Sequence, residues 1–422
     1  MSKTPDQRRL RIALSVYRGN PYCGGQGVYV RHLSAALVRQ GHSVTVFSGQ
    51  PYPDLDPAVE LCRIPSLDLY RDDDPFRRPR LRELERPVDV LELVTMFAGG
   101  FPEPRTFSLR LRAQLERRQG EFDILHDDQS LGGALLQVER SGLAVIASVH
   151  HPVTVDKRLD LAAADNWGKR VSLRRWYGFA AMQSRVARRL RGVITVSRSS
   201  AEDVATEMGV DRDRIFVVPV GVDADTWKPM PGVARVPGRI MTTASSDVPL
   251  KGLAVLLEAL AKVRVDFDDA HLVVVGRLRT HSAIGDLIES LGLHDVVTFV
   301  SEESDEELVA RYASSSLAVV PSLYEGFSLP AIEAMACGVP VIVTDGGALP
   351  EVVGPPGESA ITVRAGDSGE LQDAIAGVLQ APAAFRSMAE HGTRRVAERY
   401  TWDQTATSTI AAYQSVLKLQ AC

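Results

Sequence analysis

Short runs of apolar residues alternate with amphipathic segments along most of the chain. Residues 11–16 (RIALSV) predict a buried strand, and residues 27–40 (GVYVRHLSAALVRQ) predict a helix that Gly41 ends. Residues 43–48 (SVTVFS) predict a second strand. A strand, a helix and another strand in succession form a βαβ unit, which predicts a parallel sheet with helices on its faces.

The pattern continues through the first half of the chain and restarts in the second half. Further strands are predicted at 121–126, 143–150, 192–197, 239–244, 271–276, 296–300, 317–322 and 339–345. Helices such as 253–263 and 304–314 follow the later strands. Residues 70–120 are highly charged and contain several Arg-Pro and Glu-Pro pairs, so they predict an irregular excursion with some helix.

A segment rich in proline and glycine, residues 217–238, separates the two series of strands. We therefore predict an α/β protein with two doubly wound, Rossmann-like domains, one over residues 1–220 and one over residues 221–400. Ligands of such sheets bind at the carboxyl ends of the strands, and here also between the domains. The last segment, residues 401–422, contains a helix that is a candidate to pack back on the first domain.

The composition narrows the class of protein. The 422 residues, 45% of them hydrophobic and 24% charged, suffice for two domains with full cores. The net charge of −5 predicts no general affinity for nucleic acid. The four cysteines, Cys23, Cys62, Cys337 and Cys422, form no C-x-x-C pair. A polar N-terminus and the lack of any apolar run of about 18 residues predict a cytoplasmic protein without a membrane span.

The segment YEGFSLPAIEAMACG, residues 324–338, places two glutamates around a predicted strand-to-helix junction. Pro330 suits an early helix position, and Gly338 ends the helix after about two turns. The free amides and the positive dipole end of this helix form a site for phosphate. Glu333 lies one turn into the helix, where its carboxylate can accept both hydroxyls of a ribose. Glu325 precedes the amides, where a sugar on the diphosphate would lie.

The longer segment EGFSLPAIEAMACGVPVIVTDGGALPEVV, residues 325–353, resembles the signature of a large family of glycosyltransferases. These are the retaining GT-B enzymes of glycosyltransferase family 4 type, which include sucrose synthase and the phosphatidylinositol mannosyltransferases. The resemblance implies GT-B architecture, with two domains facing a cleft. It also implies transfer of a sugar from a nucleotide-diphosphate sugar to a hydroxyl acceptor with retained anomeric configuration. UDP is the default nucleotide, with GDP and ADP left open.

The resemblance assigns roles to individual residues of the second domain, which would bind the donor while the first domain binds the acceptor. It implies that Glu325 lies at the donor sugar and that Glu333 binds the ribose. The loop after Gly326 would hold the diphosphate on the amides of Phe327, Ser328 and Leu329.

Lys251 stands where the family has its phosphate-binding lysine. Two phosphates need a cationic partner in a site without metal, so a lysine is chemically suited to this position. The family usually has an arginine five residues earlier, where this chain has Ser246. Arg277 and Arg279 are candidates to replace that missing cation.

Metal chemistry is not indicated. Pairs with D-x-D spacing occur at 72–74, 211–213, 223–225 and 266–268. So many matches make the spacing uninformative, and none of them follows a long apolar strand. We predict no catalytic metal and no other cofactor.

The glycine-rich segment 20–30 (NPYCGGQGVYV) follows the first predicted strand. Gly24, Gly25 and Gly27 would let the backbone approach a ligand closely. A dinucleotide-binding turn is disfavoured, because there is no G-x-G-x-x-G and no acidic residue ends the second strand. In the family that this sequence resembles, the loop lies near the donor phosphates and the acceptor.

Histidines follow two predicted strands of the first half. His150, in SVHHPVT, matches the active-site histidine of the family, which contacts the donor sugar. The adjacent His151 is an alternative for that role, and His126 also ends a predicted strand. A structural role is the competing interpretation for each of them.

Residues 157–191 are rich in arginine, lysine and aromatic residues. Basic amphipathic helices with aromatic side chains can lie on anionic membranes. The segment therefore predicts peripheral contact with the inner face of a membrane. A core helix with solvated arginines is the alternative, and both interpretations stay open.

The leading functional hypothesis is a glycosyltransferase whose domains close over the donor and exclude water. Lys251 and the amides before Pro330 would assist departure of the diphosphate, and the leaving phosphate would take the acceptor proton. One alternative is a phosphorylase or epimerase on the same fold, which the E-x7-E segment disfavours. Another is a sugar-nucleotide-binding or regulatory protein with weakened catalysis, which Ser246 favours and the presence of Glu325, Lys251 and His150 disfavours.

Overall fold

The structure is a computed structural model that describes residues 9–21, 25–71, 73–244, 248–279, 282–301 and 304–421. The chain forms two compact units. The N-terminal unit comprises Met1–Val196, Ser200–Val218 and Thr405–Cys422. The C-terminal unit comprises Ser197–Ser199 and Pro219–Gln404. The boundary near residue 218 lies beside the Pro- and Gly-rich segment 217–238 of the sequence.

The strands of the N-terminal unit are β1 Arg11–Val16, β2 Ser43–Ser48, β3 Glu60–Arg63, β4 Tyr70–Arg71, β5 Asp74–Pro75, β6 Ile124–Asp128, β7 Ala144–Ser148, β8 Val193–Thr195 and β9 Ile215–Val217. The strands of the C-terminal unit are β10 Arg239–Thr243, β11 His271–Val275, β12 Val297–Val300, β13 Leu317–Val320, β14 Val341–Thr344 and β15 Ile361–Val363.

Helices connect most of these strands. They are α1 Gln26–Arg39, α2 Pro87–Phe97, α3 Glu103–Arg117, α4 Leu135–Arg140, α5 Val153–Ala163, α6 Trp167–Trp176, α7 Gly178–Ala187, α8 Arg198–Met208, α9 Leu253–Val263, α10 Ala283–Ser290, α11 Asp305–Ser314, α12 Leu329–Ala336, α13 Leu349–Val353, α14 Ser368–Gln380, α15 Arg386–Arg399 and α16 Trp402–Ala421.

Each unit is built on one parallel sheet. The N-terminal sheet has the strand order β3-β2-β1-β6-β7-β8-β9, and the C-terminal sheet has the order β12-β11-β10-β13-β14-β15. Strands such as β1 and β13 are buried almost throughout, because helices cover a parallel sheet on both faces. The α/β prediction of two doubly wound, Rossmann-like sheets is therefore confirmed.

Sequence periodicity located most of the regular elements correctly, and β1, β2 and α9 have the predicted bounds. The excursion over residues 70–120 is more regular than predicted, since α2 and α3 occupy much of it. Charged side chains hide the helical pattern there, yet α3 buries Phe107, Leu111 and Leu115 at intervals of four residues.

Each unit has its own apolar core. The core of the N-terminal unit includes Phe47, Leu125 and Val145, and that of the C-terminal unit includes Leu256, Leu272 and Ile342. Among the described residues, no helix combines the length and the apolar character that a membrane crossing requires.

Candidate active site

The C-terminal sheet reverses its direction of growth between β10 and β13. From β10 the order continues through β11 to β12, whereas from β13 it continues through β14 to β15. Connections at such a switch point leave neighbouring strand ends in opposite directions, and ligands of open α/β sheets bind in the resulting crevice. Lys251 lies in the connection after β10, and Glu325 lies in the connection after β13.

Close backbone packing joins these two connections. Lys251 ends the 3₁₀ turn Pro249–Lys251, and Gly252 begins α9 with a φ of 67°. A Cβ atom on Gly252 would lie only 1.9 Å from the carbonyl oxygen of Pro321, so the contact requires glycine. The Leu323 amide also donates to the Leu250 carbonyl at 2.8 Å. The position of Lys251 is therefore fixed from both sides.

Lys251 and Glu325 form a partly buried ion pair. Lys251 Nζ lies 2.8 Å from Glu325 Oε1, and Ser322 Oγ donates to the same oxygen at 2.7 Å. Glu325 is 9% exposed, whereas the Lys251 side chain keeps 35% of its surface exposed. An ammonium group has three N–H donors, so Lys251 can bind an anion while it stays paired with Glu325.

Helix α12 begins beside this pair, and Ser328 is its N-cap. Ser328 Oγ accepts a hydrogen bond from the Ala331 amide at 3.4 Å, and Pro330 occupies the first turn, as the sequence predicted. The backbone of Ser328 has a φ of 107°. A non-glycine residue in such a conformation costs about 1–3 kcal/mol, and strain of this kind is frequent in ligand-binding loops.

The other residues of the predicted phosphate loop are held from outside the helix. The Gly326 carbonyl accepts a hydrogen bond from Ser197 Oγ at 2.6 Å, and the buried Phe327 ring packs on Tyr400 with centroids 5.7 Å apart. Within the described ranges, the amides of Phe327, Ser328 and Leu329 donate to no protein acceptor. These three N–H groups and the positive end of α12 form an arrangement that can bind phosphate oxygens.

Glu333 is the fifth residue of α12 and is partly buried. Burial is the main cause that raises the pKa of Glu333 to about 8, and the Asp305 carboxylate adds to the effect. A carboxyl group with this pKa is mostly protonated at neutral pH. Hydroxyl donors from a ligand would favour its ionised form.

A glycine pair after β14 packs against the backbone of the Glu325 loop. A Cβ atom on Gly347, which has a φ of 64°, would lie 2.3 Å from the Glu325 carbonyl oxygen. The Ala348 amide donates to that same oxygen at 2.8 Å. A Cβ atom on Gly346 would lie 2.6 Å from the Leu323 carbonyl oxygen. The segment TDGG, residues 344–347, thus fixes the backbone position of Glu325.

We expect Gly347→Ala to destabilise the protein by about 2–4 kcal/mol, because a backbone clash adds to the strain of the positive φ. Gly357→Ala is the matched control, since Gly357 also has a positive φ, 78°, but no atom lies within 4 Å of the added Cβ. The control is expected to lose only about 1 kcal/mol. Urea unfolding of the two variants measures the difference, and equal losses would contradict the role given to the Glu325 contact.

The N-terminal sheet has its switch point between β1 and β6. After β1 the chain enters α1, with Gly25 as N-cap at a φ of 74° and with no atom within 4 Å of a Cβ placed there. A Cβ on Gly27 would instead lie 2.1 Å from the Asn20 carbonyl oxygen. Packing within the unit therefore requires a glycine at position 27, whereas the space beside Gly25 is open. Gly24 lies outside the described residues.

His150 follows β7 and is held by a buried carboxylate. Its Nε2 lies 2.7 Å from Asp128 Oδ1, and its backbone amide donates to Gln129 Oε1 at 2.7 Å. The Tyr29 ring packs edge-on against the imidazole, with centroids 4.5 Å apart. Asp128 is fully buried, whereas the His150 side chain keeps 24% of its surface exposed. With Nε2–H donating to Asp128, the His150 Nδ1 is left as an acceptor for a ligand.

The other two histidines have different environments. His126 is fully buried between Tyr413 Oη and Ser148 Oγ, at 2.7 and 2.6 Å, and burial lowers its pKa to about 3. It is therefore a neutral structural residue that connects β6 to α16. His151 Nε2 lies 3.0 Å from Asp156 Oδ1, and this hydrogen bond is the main cause that raises the pKa of His151.

The cation that would replace the family arginine is not identified. Ser246 lies outside the described residues. Arg277 and Arg279 are exposed on the loop after β11, and each already interacts with another group. The replacement stays a prediction.

Sequence reasoning missed two groups that the structure places beside predicted site residues. Ser322 shares Glu325 Oε1 with Lys251, and Asp128 orients His150. Asp128 is the last residue of the segment ILHDD at the end of β6, and parallel strands present their carboxyl ends at one edge of the sheet. That position could have indicated Asp128 as a candidate, but only the strand order, in which β6 lies next to β7, shows that it meets His150.

The chain matches two family models that together cover most of its length. Residues 23–226 match Glycosyltransferase Family 4, and residues 234–395 match Glycosyl transferases group 1. The chain is 48% identical to an MMP alpha-(1->4)-mannosyltransferase of Mycolicibacterium hassiacum, over 98% of this chain and 100% of the relative. It is 29% identical to a D-inositol 3-phosphate glycosyltransferase of Geodermatophilus obscurus, over 92% of this chain and 84% of the relative.

Solved structures of the same architecture superpose on nearly the whole chain. Sucrose-phosphate synthase from Thermosynechococcus elongatus matches with a TM-score of 0.71 and 24% identity, over 97% of this chain and 100% of that chain. WaaG, a glycosyltransferase involved in lipopolysaccharide biosynthesis, matches with a TM-score of 0.67 and 17% identity, over 94% and 99%. Together with the two parallel-sheet units, these matches identify a GT-B glycosyltransferase. The chain belongs to glycosyltransferase family 4.

Proposed function

We propose that this glycosyltransferase transfers a mannosyl residue from a nucleotide-diphosphate sugar to a hydroxyl group of a sugar acceptor, with an α-(1→4) linkage. The observation that carries the donor class is the pairing of Lys251 with Glu325 beside the first amides of α12. The sugar and the linkage rest on the relative of 48% identity, whose name gives both. The C-terminal unit binds the donor, and the N-terminal unit binds the acceptor.

In this proposal each polar group of the C-terminal unit has a defined task. Lys251 and the amides of Phe327, Ser328 and Leu329 bind the diphosphate and stabilise the negative charge that grows as the glycosidic bond breaks. Glu325 lies at the sugar and holds Lys251 in place. Glu333 accepts the ribose hydroxyls.

In the N-terminal unit, His150 contacts the donor sugar and Gly25 leaves room at the start of α1. Its Nδ1 can accept a sugar hydroxyl because Asp128 holds Nε2. No side chain is assigned as a strong base, since the leaving phosphate takes the acceptor proton.

We propose that the reaction retains the anomeric configuration. The relative of 48% identity is named for an α linkage, and transfer from an α-linked donor to an α-linked product is retention. The one-bond coupling between C1 and H1 of the product, measured by NMR during the first turnovers, distinguishes the anomers. A β-linked product would reject this part of the proposal.

We also propose that catalysis needs neither a metal nor another cofactor, because Lys251 and three amides supply the positive charge at the diphosphate. Full activity after treatment with EDTA is the expected result. Loss of activity that Mg²⁺ or Mn²⁺ restores would overturn it.

A thermal-shift screen tests the donor class directly. UDP is the sequence-based choice of nucleotide, and GDP, ADP and the corresponding mannose derivatives complete the panel. A ligand that binds only the folded protein raises the melting temperature by mass action. Stabilisation by a nucleoside diphosphate, followed by mannose transfer to an α-linked oligomannoside, is expected. Binding without transfer to any acceptor would favour the alternative of a sugar-nucleotide-binding protein, and phosphate-dependent release of sugar would favour a phosphorylase.

Nucleotide affinity is expected to rise with pH as Glu333 ionises. The pKa of Glu333 is about 8 without ligand, so the fraction of the ionised form, which accepts ribose hydroxyls, increases as the pH rises through that value. If only this form binds, affinity increases about tenfold from pH 7 to pH 9, and binding at pH 7 releases a proton. Calorimetry in buffers of different ionisation enthalpy measures both quantities. Glu333→Gln should bind more weakly and without this pH dependence, and an unchanged profile would contradict the ribose role.

A second proposal concerns the segment 157–191, where we infer peripheral contact with the cytoplasmic face of an anionic membrane. Trp167 is 77% exposed at the start of α6, and Lys169, Arg170 and Arg174 on the same helix are exposed. An exposed aromatic ring among cations suits a lipid interface. Binding to phosphatidylglycerol vesicles at low salt is expected to weaken in Trp167→Ala, and the absence of binding at low salt would reject the proposal.

A further inference from the structure

The N-terminal unit contains a cavity of about 470 Å³, and none of its lining residues has a role in the proposed reaction. It lies between the connection from α2 to α3 and the helices α6 and α7. Phe101 and Phe179 form its aromatic wall, and Arg105, Arg175 and Arg185 stand around it. Its volume is within the range of small-molecule sites.

A fixed aromatic cluster supports the wall of this cavity. The Phe101 ring contacts the rings of Tyr70, Trp176 and Phe179, with centroids 5.2, 5.2 and 5.3 Å apart. The Tyr70 hydroxyl donates to the Gly100 carbonyl at 3.2 Å. Because Phe101 is packed on several sides, its position is built into the fold. Flat aromatic faces of this kind suit the C–H groups of a sugar or polyol.

The charge around the cavity is unbalanced. Among the residues that the structure describes, no aspartate or glutamate lines it. In the part of the chain that the structure describes, Arg105, Arg175 and Arg185 form no ion pair and no side-chain hydrogen bond. Arg110, on the same helix as Arg105, is buried, and its guanidinium pairs with Asp89 at 2.6 Å and with Glu92. The three cavity arginines are instead exposed, so their guanidinium groups are accessible to an anionic ligand.

The start of α7 adds positive potential to the cavity. Gly178 and Phe179, its first two residues, line the cavity, and no side chain caps the helix start. The first amides and the dipole of a ten-residue helix favour an anion at this end. The Tyr177 hydroxyl donates to Asp160 at 2.6 Å, so that nearby carboxylate already has a partner.

We propose that this cavity is a binding site for a phosphate ester of sugar or polyol size. Guanidinium groups recognise phosphate oxygens with paired N–H donors, and three of them supply more than enough positive charge for a phosphate dianion. The aromatic wall accommodates the uncharged part of the ligand. The site accounts for Arg175 and Arg185, two cations of the basic segment 157–191 that the transfer reaction leaves without a role. The proposal uses none of the residues proposed for the donor site.

Calorimetry on the full-length protein tests the site with three soluble probes: mannose 6-phosphate, inorganic phosphate and uncharged mannose. Lys251→Ala serves as the background protein, because it removes the proposed phosphate ligand of the C-terminal unit. Mannose 6-phosphate is expected to bind, more tightly than inorganic phosphate, and mannose is expected not to bind. Affinity should fall as salt increases, since the contact is charged.

Variants locate the binding. The double variant Arg175→Gln with Arg185→Gln is expected to lower the affinity for mannose 6-phosphate at least about tenfold, because charge-assisted hydrogen bonds are lost. Arg174→Gln is the matched control, because Arg174 is exposed on α6 but does not line the cavity. Equal weakening by the control, or none by the double variant, would overturn the proposal. So would equal binding of mannose and mannose 6-phosphate.

Two further measurements keep the test decisive. Phenylglyoxal labelling of the wild-type protein, read by mass spectrometry, should show that mannose 6-phosphate protects Arg105, Arg175 and Arg185 and leaves Arg174 reactive. This needs no variant to fold. Vesicles of phosphatidylglycerol distinguish the source of the phosphate. Protection by vesicles without protection by the soluble ester would assign these arginines to a lipid surface and reject the soluble-ligand site.

Discussion

Replacement of Lys251 by methionine is expected to lower the turnover of mannose transfer by about 10²–10³-fold, the usual loss when one group that stabilises developing negative charge is removed. Lys251 Nζ is 2.8 Å from Glu325 Oε1, at the start of α12. Methionine keeps most of the length of the side chain and removes the charge. Affinity for the nucleoside diphosphate should fall as well, because the proposed contact of this cation with the diphosphate also exists in the ground state.

The loss of Lys251 also leaves Glu325 without its cation, so stability must be separated from catalysis. Breaking such a pair from one side costs more than removing both partners, because a buried charge is left uncompensated. Lys251→Met combined with Glu325→Gln should therefore recover part of the melting temperature but none of the activity. A double-mutant cycle over the two positions gives their coupling.

Lys262→Met is the control for a general effect of charge in the C-terminal unit. Lys262 is on α9, and its Nζ contacts Ser368 Oγ at 3.0 Å, at the opposite end of the helix from Lys251. The turnover and the nucleotide affinity of the Lys262→Met variant should match those of the wild type. Normal turnover in Lys251→Met, measured with saturating donor, would remove Lys251 from the proposed mechanism.

The fold could be predicted from the sequence to the extent that burial leaves a periodic trace. The strands β1 and β2 are rich in apolar residues and are buried after their first residue, because helices cover both faces of the sheet. The strands β9 and β15 were missed, since each has three residues and is only partly buried, so neither run stands out from its loop. Short edge strands get their pairing from neighbours, and a single sequence does not contain that information.

The candidate site of the C-terminal unit was predictable for a local reason. Glu325, Ser328 and Glu333 lie within nine residues of one another, and a helix start fixes their relative positions without help from the rest of the fold. Lys251 is distant in sequence from these three residues, but the glycine that follows it, Gly252, indicated a turn at the start of a helix. Ser322 was missed because a serine at the end of a strand carries no spacing signal until Lys251 and Glu325 are seen to meet there.

The candidate site of the N-terminal unit depends on the order of strands, which the sequence does not state. His150 and Asp128 are 22 residues apart and meet because β6 and β7 are neighbours in register, with Asp128 opposite Ser148. Gly27 illustrates the opposite case. Its pattern suggested an approach to a ligand, while the structure shows an approach to Asn20 of its own loop.

The contact between Asp128 and His150 leads to the second large expected effect. Asp128→Asn should reduce mannose transfer about 10²-fold while nucleotide affinity stays unchanged, since positioning errors near the reacting atoms have effects of this size. The asparagine amide can donate to Nε2, which moves the imidazole proton to Nδ1 and replaces the acceptor that faces the sugar with a donor. The change conserves the volume of a fully buried side chain, so the fold should be kept.

Two measurements distinguish this tautomer effect from a structural one. Nitrogen chemical shifts of His150 report which ring nitrogen carries the proton. They should show the proton on Nε2 in the wild type and on Nδ1 in Asp128→Asn. Asp156→Asn removes the corresponding carboxylate from His151, and we expect it to leave transfer unchanged. If Asp156→Asn is slow and Asp128→Asn is not, His151 takes the role given to His150. Because Asp128 is fully buried and His150 is partly exposed, only the histidine would touch the sugar, and Asp128 acts by holding it.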